Sequence, residues 1–207
     1  MGGSSIKDGQ ARDVRIDDRV ARSLWNHSRH FINVLGKPQY VGSELRFPAD
    51  TLPFKELNVR YEIDKKFLGR IYGMVLEGIV ASRKEIDCPE RMELRYSGFF
   101  RKGRPFFAPL APKPGQTARN DFLKALNEDR TLMETCYKLE VEFFRLSYAP
   151  EGGLWRIEVR PYGGSYVHVL FPPMRYPVDL PREQAELVLT AMKRTAHQIG
   201  KMGDKLP

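Results

Sequence analysis

Three strand-like segments in the C-terminal third of the chain, with the turns between them, most constrain the fold. The segments cover residues 138–148, 154–162 and 166–171, and they are rich in aromatic and β-branched residues. Turn sequences with paired glycines separate them, at residues 150–153 and 163–165. This order predicts consecutive antiparallel hairpins.

The turn at residues 150–153 fixes the register of the first predicted hairpin, because side chains alternate between the two faces of a strand. One face then holds apolar pairs and the other holds mixed pairs. The apolar pairs are Phe144–Val159, Leu146–Ile157 and Tyr148–Trp155, and the mixed pairs are Phe143–Arg160 and Arg145–Glu158. In the second hairpin the pairs are Val159–Val169 and Ile157–Phe171 for a three-residue loop, or Arg160–Val167 for a two-residue loop.

The mixed face of these strands combines aromatic and basic side chains. It consists of Phe143, Arg145, Arg156, Arg160, Tyr162, Tyr166 and His168. Such rings stack on unpaired bases while arginine neutralises phosphate, so the face favours a platform for single-stranded nucleic acid. The alternative is structural, since the same rings also pack beneath a helix with arginine stems at the rim.

An N-terminal helix is predicted from Asp17 or Asp18 to Gly36, which Pro38 follows. Its apolar positions recur at helical spacing and are Val20, Leu24, Phe31 and Leu35. A polar stripe on the opposite side is formed by Arg22, Asn26, Arg29 and Asn33. Arg22 and Arg29 are candidate phosphate contacts, and an ordinary solvated helix face is the alternative.

The middle of the chain predicts a connector, two strands and a basic hairpin. Residues 39–57 are interrupted by prolines and predict the connector, and residues 57–63 predict the first strand. Residues 67–81 are apolar on both parities, which is typical of a central strand. Residues 92–107 predict a hairpin with turn residues Lys102-Gly103 at its tip.

Two further helices complete the prediction. The first starts at about Thr117, and Thr131 with Glu134 three residues later predicts a capping box that restarts it. Asp179 and Pro181 open a last helix, whose apolar residues recur at helical spacing until Gly200.

Together these elements predict an α+β fold. We expect antiparallel sheet in two halves, residues 57–136 and 137–200, each with three strands followed by a helix, after the N-terminal helix. Residues 1–16 are expected to be flexible, and residues 17–207 to form a single domain. In strand order alone, the layout resembles that of Whirly and PUR-type single-strand nucleic-acid binders and of type III secretion chaperones. A helix-grip fold with a ligand cavity under the last helix fits the same elements.

Positive charge is concentrated in one part of the sequence. Lys and Arg total 34 against 26 acidic residues, for a formal charge of +8. Residues 91–119 contain the single acid Glu93 and seven bases, namely Arg91, Arg95, Arg101, Lys102, Arg104, Lys113 and Arg119. A local excess of this kind attracts phosphate backbones or an acidic protein face, although a solvated basic hairpin is the alternative.

Several classes of function lack their sequence signatures. The chain has no apolar run of the ~18 residues that a membrane helix needs and no secretory signal, so we expect a cytoplasmic protein without a membrane partner. Cys88 and Cys136 are too few and too far apart for a disulfide scaffold or a zinc site. Nucleotide-binding and hydrolase motifs are absent, and we expect neither an enzyme nor a cofactor.

The resulting hypothesis is a non-enzymatic nucleic-acid-binding protein that prefers single strands. The predicted contacts are Arg22, Arg29, Arg95, Arg101, Lys102, Arg104, Lys113, Arg119, Phe143, Arg160, Tyr162, Tyr166 and His168. The alternative is an adaptor or subunit of a larger complex that docks an acidic protein surface through the same basic hairpin. A small-molecule carrier with a cavity under the last helix is a third hypothesis.

Overall fold

One antiparallel sheet of ten strands organises the parts of the chain that the computed structural model describes, which are residues 18–48, 53–82, 91–98, 103–110, 121–149 and 152–204. The helices are α1 (18–27), α2 (Arg29–Leu35), α3 (Asp121–Glu128), α4 (Arg130–Lys138) and α5 (Arg182–Asp204). The strands are β1 (Gln39–Val41), β2 (Glu44–Phe47), β3 (Glu56–Lys66), β4 (Gly69–Ala81), β5 (Arg91–Tyr96), β6 (Pro105–Pro109), β7 (Val141–Ala149), β8 (Leu154–Pro161), β9 (Ser165–Val169) and β10 (Met174–Val178). The α+β class and the leading helix are therefore confirmed.

The strand order is β1-β2-β3-β4-β8-β7-β5-β6, and β9 and β10 lie beside the first part of β4. The expected division into two halves is not confirmed. Because β4 of the first half pairs with β8 of the second, strands from both halves share one sheet. No helix in the described ranges is long and apolar enough to cross a membrane.

Strand β4 is long enough to pair with two successive strands along the same edge. Residues 76–81 pair with β8, and residues 69–72 pair with β9. The prediction of a hairpin between β8 and β9 is therefore wrong, and both of its alternative registers are wrong with it. Instead, β9 forms a hairpin with β10, a strand that the sequence did not predict.

The register predicted for the β7–β8 hairpin is confirmed at all five pairs. Tyr148 lies opposite Trp155, and Phe143 lies opposite Arg160. The apolar pairs belong to the face on which the helices pack. There the ring of Trp155 lies 4.6 Å from that of Phe122 in α3 and 4.9 Å from that of Tyr148, between ring centroids.

The longest helix, α5, packs against β4 and β8 on this face. Its side chains Val188, Met192 and Ile199 are fully buried. A single cluster of buried apolar residues extends from Leu24 to Ile199. The face that carries the helices is thus also the face that forms the core.

The N-terminal helical prediction is confirmed with one irregularity. A turn at Ser28 separates α1 from α2, and Gly36 ends α2 with a φ of 87°, a conformation that glycine adopts without strain. Leu24 and Phe31 are buried as predicted. The connector predicted after this helix is wrong in part, because it contains the β1–β2 hairpin.

The ends of the later helices differ from their predictions. The predicted capping box at Thr131 is wrong, because Asp129 is the N-cap of α4 and its carboxylate accepts a hydrogen bond from the Leu132 amide at 3.1 Å. The last helix continues through Gly200 to Asp204. A glycine there is tolerated inside a helix that tertiary packing stabilises.

Candidate nucleic-acid interface

The predicted aromatic and basic sheet face is divided between the two faces of the sheet. Val159 lies opposite Leu76, and Tyr166 lies opposite Tyr72. Leu76 and Tyr72 have the same parity in β4, so Tyr166 shares the helix-bearing face with Val159. Arg160 has the other parity and lies on the opposite face. The break between β8 and β9 at residues 162–164 therefore reverses the parity, and the prediction of one continuous face is wrong.

Most of the predicted platform is also buried. Phe143, Arg160, Tyr166 and His168 each keep less than a tenth of their surface exposed, whereas Tyr162 is 64% exposed. The ring of Tyr166 packs edge to face on Tyr72, with centroids 6.1 Å apart. The ring of Phe143 lies beneath the guanidinium of Arg145, 4.1 Å from it. These two rings are not available to stack on bases.

Arg160 is held by carboxylates rather than presented to a ligand. Its Nη2 donates to Asp64 Oδ2 at 2.5 Å, and its Nε lies 3.0 Å from Glu142 Oε2. Gly73 makes this placement possible, because a Cβ atom at that position would collide with the guanidinium group. The buried charge is compensated locally, as burial requires.

Other arginines on the face opposite the helices are also paired with carboxylates. Arg60 contacts Glu62, Glu77 and Glu158 at 2.9 to 3.0 Å. Arg145 lies 3.0 Å from Glu93. A face on which carboxylates bind the arginines offers little net charge to phosphate, so the structure does not support this face as a nucleic-acid platform.

The predicted basic hairpin is present as β5 and β6. Arg95 and Arg104 are exposed, and Arg95 lies opposite Phe106, which is also exposed. The Ser97 amide donates to the Arg104 carbonyl at 2.9 Å, which closes the described base of the hairpin. Four other predicted contacts lie outside the described residues, namely Arg101, Lys102, Lys113 and Arg119.

Exposed rings from elsewhere in the chain lie beside this hairpin. Arg104 shares a shallow surface groove with Tyr137 and Lys138 at the end of α4. Tyr137 is 52% exposed. Asn127 closes one side of the groove, since its amide accepts from the Phe107 amide at 2.7 Å and donates to the Phe107 carbonyl at 3.1 Å. These two bonds occupy part of the outer edge of β6, the last strand of the sheet.

Tyr162 belongs to the same region. Its amide donates to the Glu140 carbonyl at 3.1 Å, and the side chain of Gln184 bridges the Glu140 amide and the Lys138 carbonyl. Burial raises the pKa of Tyr96 above its ordinary value, and Cys136 and the nearby Tyr162 raise it further. Tyr162 therefore lies beside the segment that follows α4, and the Tyr96 hydroxyl of β5 donates to the Cys136 carbonyl of α4 at 2.8 Å.

We call this region the hairpin edge and define it as Arg95, Arg104, Phe106, Tyr137, Lys138 and Tyr162. Its members combine exposed cations with exposed rings. One acid, Glu134, also lines the groove, and Arg130 binds its carboxylate at 2.7 Å. The sequence does not indicate Tyr137 and Lys138 as contacts, because the helical pattern shows which residues face the core but not which strand lies beside the helix.

The polar stripe of the first helices lies far along the sheet from the hairpin edge. Arg22 and Arg29 are exposed as predicted. Trp25 stacks on Tyr40 of β1 with ring centroids 5.7 Å apart, and Arg22, Lys37 and these rings line a second groove. Because β1 and β6 are at opposite ends of the strand order, the two cationic surfaces are separate.

His27 and Cys136 are buried titratable groups among the described residues. His27 Nδ1 lies 2.9 Å from the hydroxyl oxygen of Tyr61. Burial lowers the pKa of His27, although the Gly164 backbone and Asp179 oppose this. Cys136 is fully buried in the core. Within the described ranges, no three His, Cys, Asp or Glu residues are grouped so as to hold a metal ion.

The fold and this site define an α+β protein in which helices pack on one face of a single antiparallel sheet and a cationic, aromatic edge lies beside a basic hairpin. Residues 41–199 match the family described as "Protein of unknown function (DUF3156)", and the chain belongs to that family. Comparison with curated proteins and with solved structures gave no match.

Proposed function

We propose that the protein is a non-enzymatic nucleic-acid-binding protein that binds single strands at the hairpin edge. The observation that carries the proposal is the exposure of Tyr137 and Tyr162 beside Arg104 and Lys138. Exposed rings stack on bases of any sequence, and cations beside them neutralise the phosphates between those bases. The excess of bases in residues 91–119 supplies a field that attracts the strand.

Single strands fit this edge better than a duplex. In a duplex the bases are stacked on one another, whereas an aromatic side chain needs a free base face. The rings here come from a loop, a helix and an edge strand. They therefore offer separate positions on which single bases can stack, and they do not form one element that could enter the groove of a duplex. The chemistry does not select DNA or RNA, and both are used in the test.

The test is fluorescence anisotropy with labelled single-stranded DNA and RNA oligonucleotides. Three cations at the edge predict that raising salt from ~50 to ~200 mM weakens binding about 20-fold. The double variant Arg95→Glu with Arg104→Glu is expected to weaken binding to every sequence. Tyr137→Ala and Tyr162→Ala are expected to cost about tenfold each, while the corresponding Phe variants retain the ring and the affinity.

A matched control reverses two exposed cations elsewhere, Arg46→Glu with Lys201→Glu. Arg46 is in β2, near the opposite end of the strand order, and Lys201 is 17 residues beyond Gln184 along α5. That helical spacing corresponds to about 25 Å. Equal losses in control and test variants, or no binding to either oligonucleotide at ~50 mM salt, would contradict the proposal.

The alternative proposal is an adaptor that docks an acidic protein surface at the same edge. Exposed tyrosine and arginine are also common among residues that dominate protein interfaces. A complex captured from the native host that resists nuclease and is lost in the Arg95→Glu, Arg104→Glu variant would favour the adaptor. A small-molecule carrier has less support, because Val188 and Met192 of α5 fill the position under that helix.

A further inference from the structure

Two neighbouring hairpin turns at one end of the sheet expose apolar side chains. Phe67 and Leu68 form the two-residue turn between β3 and β4, and Phe67 is 97% exposed. Leu170 and Phe171 begin the turn between β9 and β10, and Phe171 is 77% exposed. The Leu170 amide donates to the Leu68 carbonyl at 2.7 Å, so the turns are adjacent. We call these four residues the apolar tip.

The residue types in the apolar tip differ from those that hairpin turns usually contain. Two-residue hairpin turns favour Asn, Asp and Gly, and surface turns are generally polar. Phe67 and Leu68 occupy both central positions of such a turn. Neither the core of the described residues nor the turn geometry requires them there, so contact with an apolar environment beyond the described residues would explain them.

A row of basic side chains crosses the sheet directly behind the tip. Lys65 lies opposite Arg70, Arg70 lies opposite His168, and His168 lies opposite Arg175. Opposed residues share a face, so all four belong to one face of four adjacent strands. Lys66 adds a further exposed cation next to Phe67. We call the four exposed cations among them, Lys65, Lys66, Arg70 and Arg175, the basic row, and His168 is buried between Arg70 and Arg175.

Among the described residues, no carboxylate forms an ion pair with the basic row, in contrast to the arginines of the opposite face. The carboxylates that β3 carries at this end, Glu62 and Asp64, have the other parity and bind Arg60 and Arg160 there. The pKa of His168 lies below its ordinary value because of burial and then because of Arg175 and Arg70, which is consistent with their proximity. Like charges on opposed residues destabilise a sheet, so the row fits an external anion.

We propose that the apolar tip and the basic row bind the surface of an anionic phospholipid bilayer. The tip side chains enter the interfacial region, and the basic row contacts the headgroups. This arrangement combines the two contributions that hold peripheral proteins at membranes, burial of apolar side chains and attraction to anionic lipid. The proposal departs from the sequence-based expectation of no membrane partner.

The charges and shapes argue against two other occupants. A second copy of the chain would bring the same basic row to the contact, and the like charges would repel. Nucleic acid would find two rings, but Leu68 and Leu170 have no flat face on which a base can stack. Both occupants are nevertheless outcomes of the test.

The test is flotation of the full-length protein with vesicles of phosphatidylcholine alone or with about one third phosphatidylserine. Binding is expected to the anionic vesicles and to weaken at high salt. Phe67→Ser with Phe171→Ser is expected to reduce it about tenfold or more, as is Arg70→Glu with Arg175→Glu. Val34→Ser with Val41→Ser is the matched control, because both valines are exposed apolar residues elsewhere.

Several results would overturn the proposal. These are equal binding to both vesicles, full binding by the Phe67→Ser, Phe171→Ser variant, and equal loss in the valine control. Lipid-free dimers that need Phe67 would identify a second copy as the occupant. The Arg95→Glu, Arg104→Glu variant should still bind vesicles, and the Phe67→Ser, Phe171→Ser variant should still bind oligonucleotides. Failure at one surface is thereby distinguished from failure at the other.

Discussion

At the Arg160 site, the arginine side chain is more deeply buried than the two carboxylates that pair with it. The side chain of Arg160 is 6% exposed, whereas those of Asp64 and Glu142 are 37% and 49% exposed. Water can therefore solvate either carboxylate if the arginine is removed. It cannot readily solvate the guanidinium if the carboxylates are removed, because that group lies over Gly73 inside the ion-pair cluster.

Asp64→Asn with Glu142→Gln should therefore destabilise the protein more than Arg160→Met does. The double variant leaves a buried charge without a counter-ion, which costs about 2–4 kcal/mol in the free energy of unfolding, against about 1 kcal/mol for Arg160→Met. Urea denaturation at neutral pH measures both. A larger loss for Arg160→Met would show that the carboxylates, and not the guanidinium, depend on the contact.

At the level of secondary-structure elements, the side chain of Asp129 links the helices α4 and α5. Its carboxylate caps α4 through the Leu132 amide and accepts from Arg194 Nε of α5 at 2.7 Å, with Gln198 as a further donor. Burial alone would raise the pKa of Asp129, but these donors outweigh burial and the pKa lies below its ordinary 3.8. The ionised form is thus favoured by folding.

Asp129→Ala should cost about 2–4 kcal/mol of stability, because it removes a cap and leaves Arg194 unpaired. Thr131→Ala, at the position that the sequence wrongly predicts as part of a cap, should cost under about 0.5 kcal/mol. The Asp129 contribution is present above the unfolded pKa and is lost as pH falls through the lower folded pKa. Thermal unfolding of both variants at neutral and acidic pH measures this; equal effects of the two would refute the assignment.

Strand pairs that are close in sequence are predictable from the sequence, whereas strand pairs that are far apart in sequence are not. The β7–β8 register follows from one short turn, and all of its pairs are predictable. The pairing of β9 with β4 joins residues about a hundred positions apart, and no local pattern specifies it. The same limit applies to the hairpin edge, where Tyr137 meets Arg104 only through the packing of α4. The sequence leaves open whether Tyr166 and His168 are exposed or packed against the rest of the chain, because their parity depends on the break before β9.

At the scale of the whole molecule, β9 and β10 form an outlying part of the sheet. Among the described strands, β9 pairs with β4 and β10, while β10 pairs with β9 alone. The residues of β10 are mostly exposed, whereas β8 lies between β4 and β7 and is largely buried. Local opening of β10 therefore disturbs less of the core than opening of β8.

Hydrogen exchange of the intact protein should show this difference. Amides of β10 are expected to exchange at least about tenfold faster than those of β8, with β9 between them. Mass spectrometry of peptides that cover 154–161 and 174–178 provides the comparison. Uniform protection across both peptides would mean that this end of the sheet opens only with global unfolding. Anionic vesicles should slow exchange in β10 if the apolar tip binds them.

The three residues between β8 and β9 separate two strands that turn side chains of opposite parity toward the helices. Because the chain leaves the sheet there and pairs again with β4, β9 turns its even-numbered side chains toward the helices, whereas β8 turns its odd-numbered ones. A slip of β9 by one residue against β4 would send Tyr166 and His168 outward and bring Val167 and Val169 inward. A slip of two residues would preserve the orientation. The pairing with β4, and not the length of the link, therefore fixes which side chains of β9 are buried.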